Sequence, residues 1–94
     1  MSDFRELNYR YTFDHRFKWE DIKQAHDNSL IAAESLHGAA TIRRDVHYYL
    51  DPDYKTCVIG IDTPAGSDFS RIFAGFMRNL ERRMNERMEE GEKK

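Results

Sequence analysis

The chain has 94 residues, a formal net charge of −2 and one cysteine, and its length is that of one small domain. Charged residues make up 34% and apolar residues 39%, as in water-soluble globular proteins that are not disordered. The near-neutral charge disfavours dedicated nucleic-acid or membrane-surface binders, which carry a basic excess. Because Cys57 is the single cysteine, an intrachain disulfide and a cysteine-based metal cluster are excluded.

No stretch of the sequence resembles a targeting or membrane-spanning segment. The first residues lack the apolar run of a secretory signal, and no later run approaches the roughly 20 apolar residues of a membrane span. We therefore expect a cytoplasmic protein without a membrane partner.

The first predicted elements are a strand and a helix. Residues 7–13 alternate between apolar and polar side chains, which predicts a strand with one buried face. From Trp19 the spacing becomes helical, and Gly38 is a natural C-cap. In each element the residues predicted to face inward share one side. For the strand they are Leu7, Tyr9, Tyr11 and Phe13. For the helix they are Trp19, Ile22, Ala25, Ser29, Ala32, Ala33 and Leu36.

Two further strands and a second helix follow. Residues 40–50 are predicted to form a long strand, and the turn Asp51-Pro52-Asp53 leads into a third strand over residues 55–63. The last helix is expected to begin with Ser67 or Asp68 as N-cap. Its predicted buried residues recur at spacings of three and four and are Phe69, Ile72, Phe73, Phe76, Met77, Leu80 and Met84.

This order of elements, β-α-β-β-α, predicts an α+β two-layer sandwich. A right-handed crossover gives a three-stranded antiparallel-type sheet in the order 1-3-2, with both helices on one face. The apolar third strand then lies in the centre, as expected for a strand that is buried on both faces. The plan resembles the ferredoxin-like fold without its last strand, a resemblance that by itself implies no activity. We expect one domain over residues 1–88 and a frayed charged tail over residues 89–94.

The function that this plan favours is a small non-enzymatic interaction module. The first strand has an outer edge without a neighbouring strand, and such edges pair with other chains. The simplest outcome is a homodimer, although another protein remains a possible partner. The residues predicted to bind the partner are aromatics of the strands and methionines near the end of the last helix, namely Tyr9, Tyr11, Tyr49, Met84 and Met88.

The alternative is a weak single-stranded nucleic-acid-binding domain that uses the sheet face opposite the helices. The residues expected on this face are Asn8, Arg10, Thr12, Arg43, Asp45, His47, Tyr49, Thr56, Val58 and Asp62. Of these, Arg10, Arg43, His47 and Tyr49 would contact the nucleic acid. Two acidic residues interleave with the bases and only one aromatic ring is present, so a nucleic-acid partner is the less favoured prediction.

We identify no catalytic, cofactor-binding or metal-binding residues in the sequence. His26 and His37 are three helical turns apart, and Cys57 is expected on the core face of its strand. Asp45 and His47 offer an acid and a base, but nothing in their spacing brings a nucleophile or a cofactor to them. We therefore expect no enzyme activity and no cofactor.

Overall fold

The computed structural model describes residues 8–92, and the side chains of residues 8–86. The predicted inward residue Leu7 lies outside the described residues. The elements, in chain order, are β1 Asn8–Thr12, α1 Trp19–His37, α2 Ala39–Asp45, β2 Tyr48–Asp51, β3 Thr56–Gly60 and α3 Pro64–Glu92. The α+β class is thus confirmed, with three helices in the described part of the chain where two were predicted.

The sheet has the predicted strand order. β1 and β2 both pair antiparallel with β3, so the order is β1-β3-β2. The central position of β3 follows from its burial, since Cys57 and Ile59 are both fully buried. The turn predicted at Asp51-Pro52-Asp53 joins β2 to β3, but both strands are shorter than the predicted ranges.

The prediction of one long strand over residues 40–50 is wrong, because its first half is helix α2. The alternation of Ala40 and Ile42 suggested a strand, but Ile42 and Val46 are the buried pair. Their spacing of four residues is one helical turn, and the Val46 N–H donates to the Ile42 carbonyl at 3.0 Å. Arg43 and Asp45 consequently lie on α2 and not on the sheet.

Helix α1 ends where the sequence predicts. Gly38 adopts φ 89°, and its N–H donates to the Glu34 carbonyl at 2.8 Å, which is why glycine suits this C-cap. The prediction that Leu36 faces inward is wrong, since it is 69% exposed. The last buried residue of α1 is Ala33. The next residue four positions further along is His37, and not Leu36.

Helix α3 begins earlier than predicted and buries a narrower stripe. Its first residue is Pro64, and the Thr63 hydroxyl accepts a hydrogen bond from the Gly66 N–H at 3.0 Å, so neither Ser67 nor Asp68 is the N-cap. The buried hydrophobic residues follow a four-residue step and are Ala65, Phe69, Phe73 and Met77. Phe76 lies beside this stripe and is 38% exposed. The helix continues to Glu92, into the range 89–94 that was expected to fray.

Aromatic contacts join the helices to the sheet. The Phe73 ring of α3 meets the Tyr11 ring of β1 edge-on at 5.2 Å. The His26 ring of α1 lies 5.1 Å from Phe69 and 4.4 Å from Tyr48 of β2. The hydrophobic core therefore combines side chains of the sheet with side chains of the two long helices.

Candidate functional site

The outer edge of β1 presents unpaired backbone groups in the described part of the chain. The Phe13 N–H donates to the Lys55 carbonyl, and the β1–β3 register pairs Tyr11 with Cys57 and Tyr9 with Ile59. In an antiparallel ladder hydrogen-bonded pairs alternate with pairs that are not bonded to each other. The N–H and C=O groups of Asn8, Arg10 and Thr12 accordingly point away from β3. We call these three residues the outward residues of β1.

Three aromatic side chains form a ladder along the helix side of β1. The ring centroids of Tyr9 and Tyr11 are 5.1 Å apart, and those of Tyr11 and Phe13 are 6.5 Å apart, with nearly parallel planes in both pairs. Phe73 meets Tyr11 and Phe13 edge-on from α3. Tyr9 has no such cover and is 55% exposed, so the ladder has a buried and an open end.

The middle ring of the ladder is fixed to α3 by its hydroxyl group. The Tyr11 hydroxyl lies 2.7 Å from the Ser70 hydroxyl and donates to the Ser70 carbonyl at 3.2 Å. Ser70 is itself buried and Tyr11 is half-buried, so loss of this hydroxyl removes hydrogen bonds that are partly shielded from water.

We expect Tyr11→Phe to lower the free energy of unfolding by about 1 kcal/mol, because one half-buried, hydrogen-bonded hydroxyl is lost while the ring packing is kept. The urea midpoint of unfolding measures this change. Tyr54→Phe is the matched control and should leave the midpoint unchanged, since Tyr54 is 75% exposed and its hydroxyl makes no hydrogen bond to the described residues. Equal midpoints for the two variants would contradict the contribution of the Tyr11 hydroxyl.

A groove separates the edge of β1 from α3. It consists of two hollows of about 370 and 360 Å³ that share Tyr11, Ala74 and Arg78 in their walls. The first hollow adjoins Tyr9, and the second adjoins Phe13. We call the two together the β1 groove. Small side chains on α3 leave this space open, among them Ser67, Ser70 and Ala74.

Charged side chains border the β1 groove at both ends. Arg71 and Arg78 of α3 border the hollow beside Tyr9. At the other end Arg16 lies 3.2 Å from the Asp14 carboxylate and 3.8 Å from that of Glu81. The hydrogen bond from Arg16 lowers the pKa of the Asp14 carboxyl, so this end of the groove keeps its charges at neutral pH.

Only some of the residues predicted to bind nucleic acid lie together on the open sheet face, the face of the sheet that carries Arg10, Val58 and Tyr49. Arg10, Val58 and Tyr49 are register neighbours across the sheet, and Tyr49 is 62% exposed. His47 and Tyr49 line a shallow hollow of about 240 Å³ on this side. Arg43 is separate, because it lies on α2 and borders a different hollow together with Glu34. The expected placement of Arg43 and Asp45 on this face is therefore wrong.

The predicted methionine contacts lie near the far end of α3. Met84 is half-buried and packs against the hydrophobic core, so little of it is free to meet a partner. Met88 belongs to the backbone of α3, but its side chain lies outside the described residues. Of the predicted partner-binding residues, only Tyr9 and Tyr11 lie at the β1 edge, and Tyr49 lies on the open sheet face.

Two reactive groups that the sequence singled out, the Cys57 thiol and the Asp45 carboxylate, are respectively buried and engaged. Burial raises the pKa of the Cys57 thiol to about 11, so the expected inert core position of Cys57 is confirmed. The Asp45 carboxylate accepts a hydrogen bond from Arg44 at 2.8 Å, which lowers its pKa. Within residues 8–92 no group of three His, Cys, Asp or Glu side chains is arranged to hold a metal ion.

The β1 groove is the part of this site that the sequence did not predict. Arg71 and Arg78 are exposed residues of α3 that border this groove. The sequence signal for the groove was the spacing of the small residues Ser67, Ser70 and Ala74. This spacing does not show which element of the fold lies opposite them. None of the helices in the described part of the chain has the length and apolar composition that crossing a lipid bilayer requires. No family model, curated protein sequence or solved structure matches the chain.

Proposed function

We propose that this chain is a small non-enzymatic interaction module that self-associates through the outer edge of β1 as a symmetric homodimer in the cytoplasm. The observation that carries the proposal is the set of outward residues Asn8, Arg10 and Thr12. Their backbone N–H and C=O groups have no strand partner among residues 8–92. An edge of this kind is a template for adding a strand from another chain.

The arrangement of the helices supports this site. We infer that α1 and α3 cover the same face of the sheet, because His26 contacts Tyr48 and Phe69 while Phe73 contacts Tyr11. This plan resembles the ferredoxin-like fold without its last strand, and the missing strand would lie beside β1. The outer edge of β1 is thus the position of the strand that this plan lacks.

The β1 groove is the counterpart of this missing strand on the helix side. Side chains of a strand alternate between its two faces. A strand added beside β1 would therefore direct every second side chain towards α3, into the two hollows that adjoin Tyr9 and Phe13. Backbone hydrogen bonds would supply affinity, and the filled hollows would supply selectivity.

A second copy of β1 has the composition that this position needs. Its aromatic residues Tyr9, Tyr11 and Phe13 would meet the same residues of the first copy on the helix side. Its polar residues would lie on the solvated face. Because antiparallel pairing of two identical strands is a two-fold symmetric contact, the assembly closes at two copies and leaves no further β1 edge exposed.

The test is the absolute mass in solution, measured by light scattering behind a sizing column at several protein concentrations. We expect the wild type to be a dimer and Arg10→Pro to be a monomer with an unchanged circular dichroism spectrum. Proline removes the outward N–H of Arg10, which β3 does not use, and proline is tolerated on edge strands. The double variant with prolines at Asn8 and Arg10 should behave in the same way.

Arg10→Ala is the matched control, because it removes the side chain but keeps the backbone donor, and it should remain a dimer. A wild type that stays monomeric at all concentrations would overturn the proposal. So would an Arg10→Pro variant that keeps both the fold and the dimeric mass.

A further inference from the structure

We propose that the two copies pair their β1 strands in one register, in which Tyr11 faces Tyr11 of the second copy. This inference rests on the proposed self-association and adds which residues meet. It follows from the direction of the backbone groups, the position of Arg10 and the aromatic ladder of β1.

The backbone limits the possible registers. In a new antiparallel pair the hydrogen-bonded partners must both be outward residues, because only those carry free N–H and C=O groups on that side. Three two-fold symmetric registers then pair three or more residues of β1, a strand of five residues. They are centred on Tyr9, on Arg10 or on Tyr11.

The register centred on Arg10 places like charges directly opposite each other. Arg10 would face Arg10 of the second copy as a hydrogen-bonded pair, and directly opposed like charges destabilise a sheet. In the register centred on Tyr11, Arg10 faces the neutral Thr12 of the second copy, and the two Arg10 residues are moved to a diagonal position. Charge therefore disfavours the Arg10-centred register although it pairs the most residues.

The aromatic ladder separates the two remaining registers. In the register centred on Tyr11, Tyr11 faces Tyr11 and Tyr9 faces Phe13 of the second copy, so every ring of the ladder meets a ring. In the register centred on Tyr9, only Tyr9 meets a ring of the second copy, because Tyr11 and Phe13 would lie beyond the first residue of that copy's β1. Cross-strand aromatic pairs are favourable, so the ladder selects Tyr11 as the centre.

The β1 groove is consistent with the same register. Tyr9 is the most exposed ring of the ladder, and it would arrive opposite Phe13, beside the hollow that Phe13 lines. This hollow is bordered by Asp14, Arg78 and Glu81. An incoming tyrosine would bury its ring against Phe13 and keep polar partners for its hydroxyl group.

Disulfide trapping distinguishes the three registers with surface variants that do not disturb the core. Asn8, Arg10 and Thr12 are all exposed, and the native Cys57 is fully buried. Hydrogen-bonded antiparallel pairs have Cα atoms about 5.5 Å apart, within the range that a disulfide bridges. We therefore use Asn8→Cys, Arg10→Cys and Thr12→Cys, alone and in pairwise equimolar mixtures, under mild oxidation.

The Tyr11-centred register predicts that a mixture of Arg10→Cys and Thr12→Cys forms about tenfold more cross-linked dimer than either variant alone, because only the mixed pair lies within bridging distance. Cross-linking in the mixture of Asn8→Cys with Thr12→Cys, which keeps Arg10 in both copies, would instead show the Arg10-centred register. Cross-linking in the mixture of Arg10→Cys with Asn8→Cys would show the Tyr9-centred register. Either of these two results overturns the register but leaves the self-association through β1 in place.

The mass measurement separates failure of the register from failure of the proposed function. If the cysteine variants are dimers by light scattering but none of the three combinations cross-links, the two β1 strands do not meet, and both proposals are overturned. If the protein is a monomer, the dimer itself is absent and the register falls with it.

Discussion

Replacing Gly66 with alanine is expected to lower the free energy of unfolding by about 2–3 kcal/mol, in the upper part of the range of about 1–3 kcal/mol for a side chain forced into a packed site. A Cβ atom at this position would overlap with the backbone carbonyl oxygen of Gly60. Gly66 lies in the first turn of α3 and Gly60 ends β3. The clash is with backbone, so a change of side-chain rotamer does not relieve it.

The relief that remains is to move the start of α3 away from β3. Such a shift would strain the hydrogen bond from the Gly66 N–H to the Thr63 hydroxyl, which caps the helix. It would also disturb the second bond of that hydroxyl, to the Asp45 carbonyl at 2.9 Å. The substitution therefore affects the contact between α2, β3 and α3 and not only one methyl group.

Gly75→Ala is the matched control on the same helix. A Cβ atom at Gly75 meets no atom within 4 Å, so this variant should gain about 0.5–1 kcal/mol from the higher helix propensity of alanine. Urea unfolding of the two variants and the wild type measures both changes. A Gly66→Ala variant as stable as Gly75→Ala would show that α3 does not approach Gly60 closely.

The strand order and the class of the fold could be predicted because the responsible signals are local. The apolar run at Cys57, Val58 and Ile59 marks a central strand without any knowledge of its neighbours, and a right-handed crossover then fixes the order. The end of α1 at Gly38 was equally local, since a positive φ angle favours glycine. These predictions depended on the residues alone.

The features that escaped prediction depend on which elements lie opposite each other. Ala40 and Ile42 are two residues apart, and two apolar residues at this spacing occur in strands and in helices. The burial of Val46, four residues after Ile42, is what identifies helix α2. Gly66 is an ordinary helix residue until its approach to Gly60 is known. The β1 groove likewise exists because small side chains of α3 face the edge of β1, and neither sequence segment shows that by itself.

The sequence also did not show that the imidazole of His26 is buried. Replacing His26 is the second substitution with a large expected effect on stability. His26 is 1% exposed, and neither ring nitrogen has a hydrogen-bond partner among the described residues. It is surrounded by the rings of Tyr48, Phe69 and Phe73. The Asp27 carboxylate is 3.8 Å from Nδ1, which is too long for a hydrogen bond. A polar side chain without partners in a core costs free energy.

Burial lowers the pKa of His26 below its ordinary value, with the charge of Asp27 opposing this shift and that of Lys23 adding to it. The unfolded chain therefore binds a proton near pH 6.5, while the folded chain binds it only at lower pH. Stability from this group is fully present above about pH 6.5 and is lost as the pH falls towards the folded pKa, with a slope of at most about 1.4 kcal/mol per pH unit.

We expect His26→Leu to raise the free energy of unfolding at pH 7 by about 1–2 kcal/mol, because removal of two unpartnered polar atoms outweighs the lost ring contacts. The gain should grow as the pH is lowered from 7 to 5, since the variant has no buried imidazole to protonate. Urea unfolding at several pH values measures the gain, and the exposed His47→Leu serves as the control. An unchanged pH profile in His26→Leu would show that another group causes the loss of stability at low pH. A variant less stable than the wild type at pH 7 would show that the ring contacts with Tyr48 and Phe69 outweigh the cost of burying the imidazole.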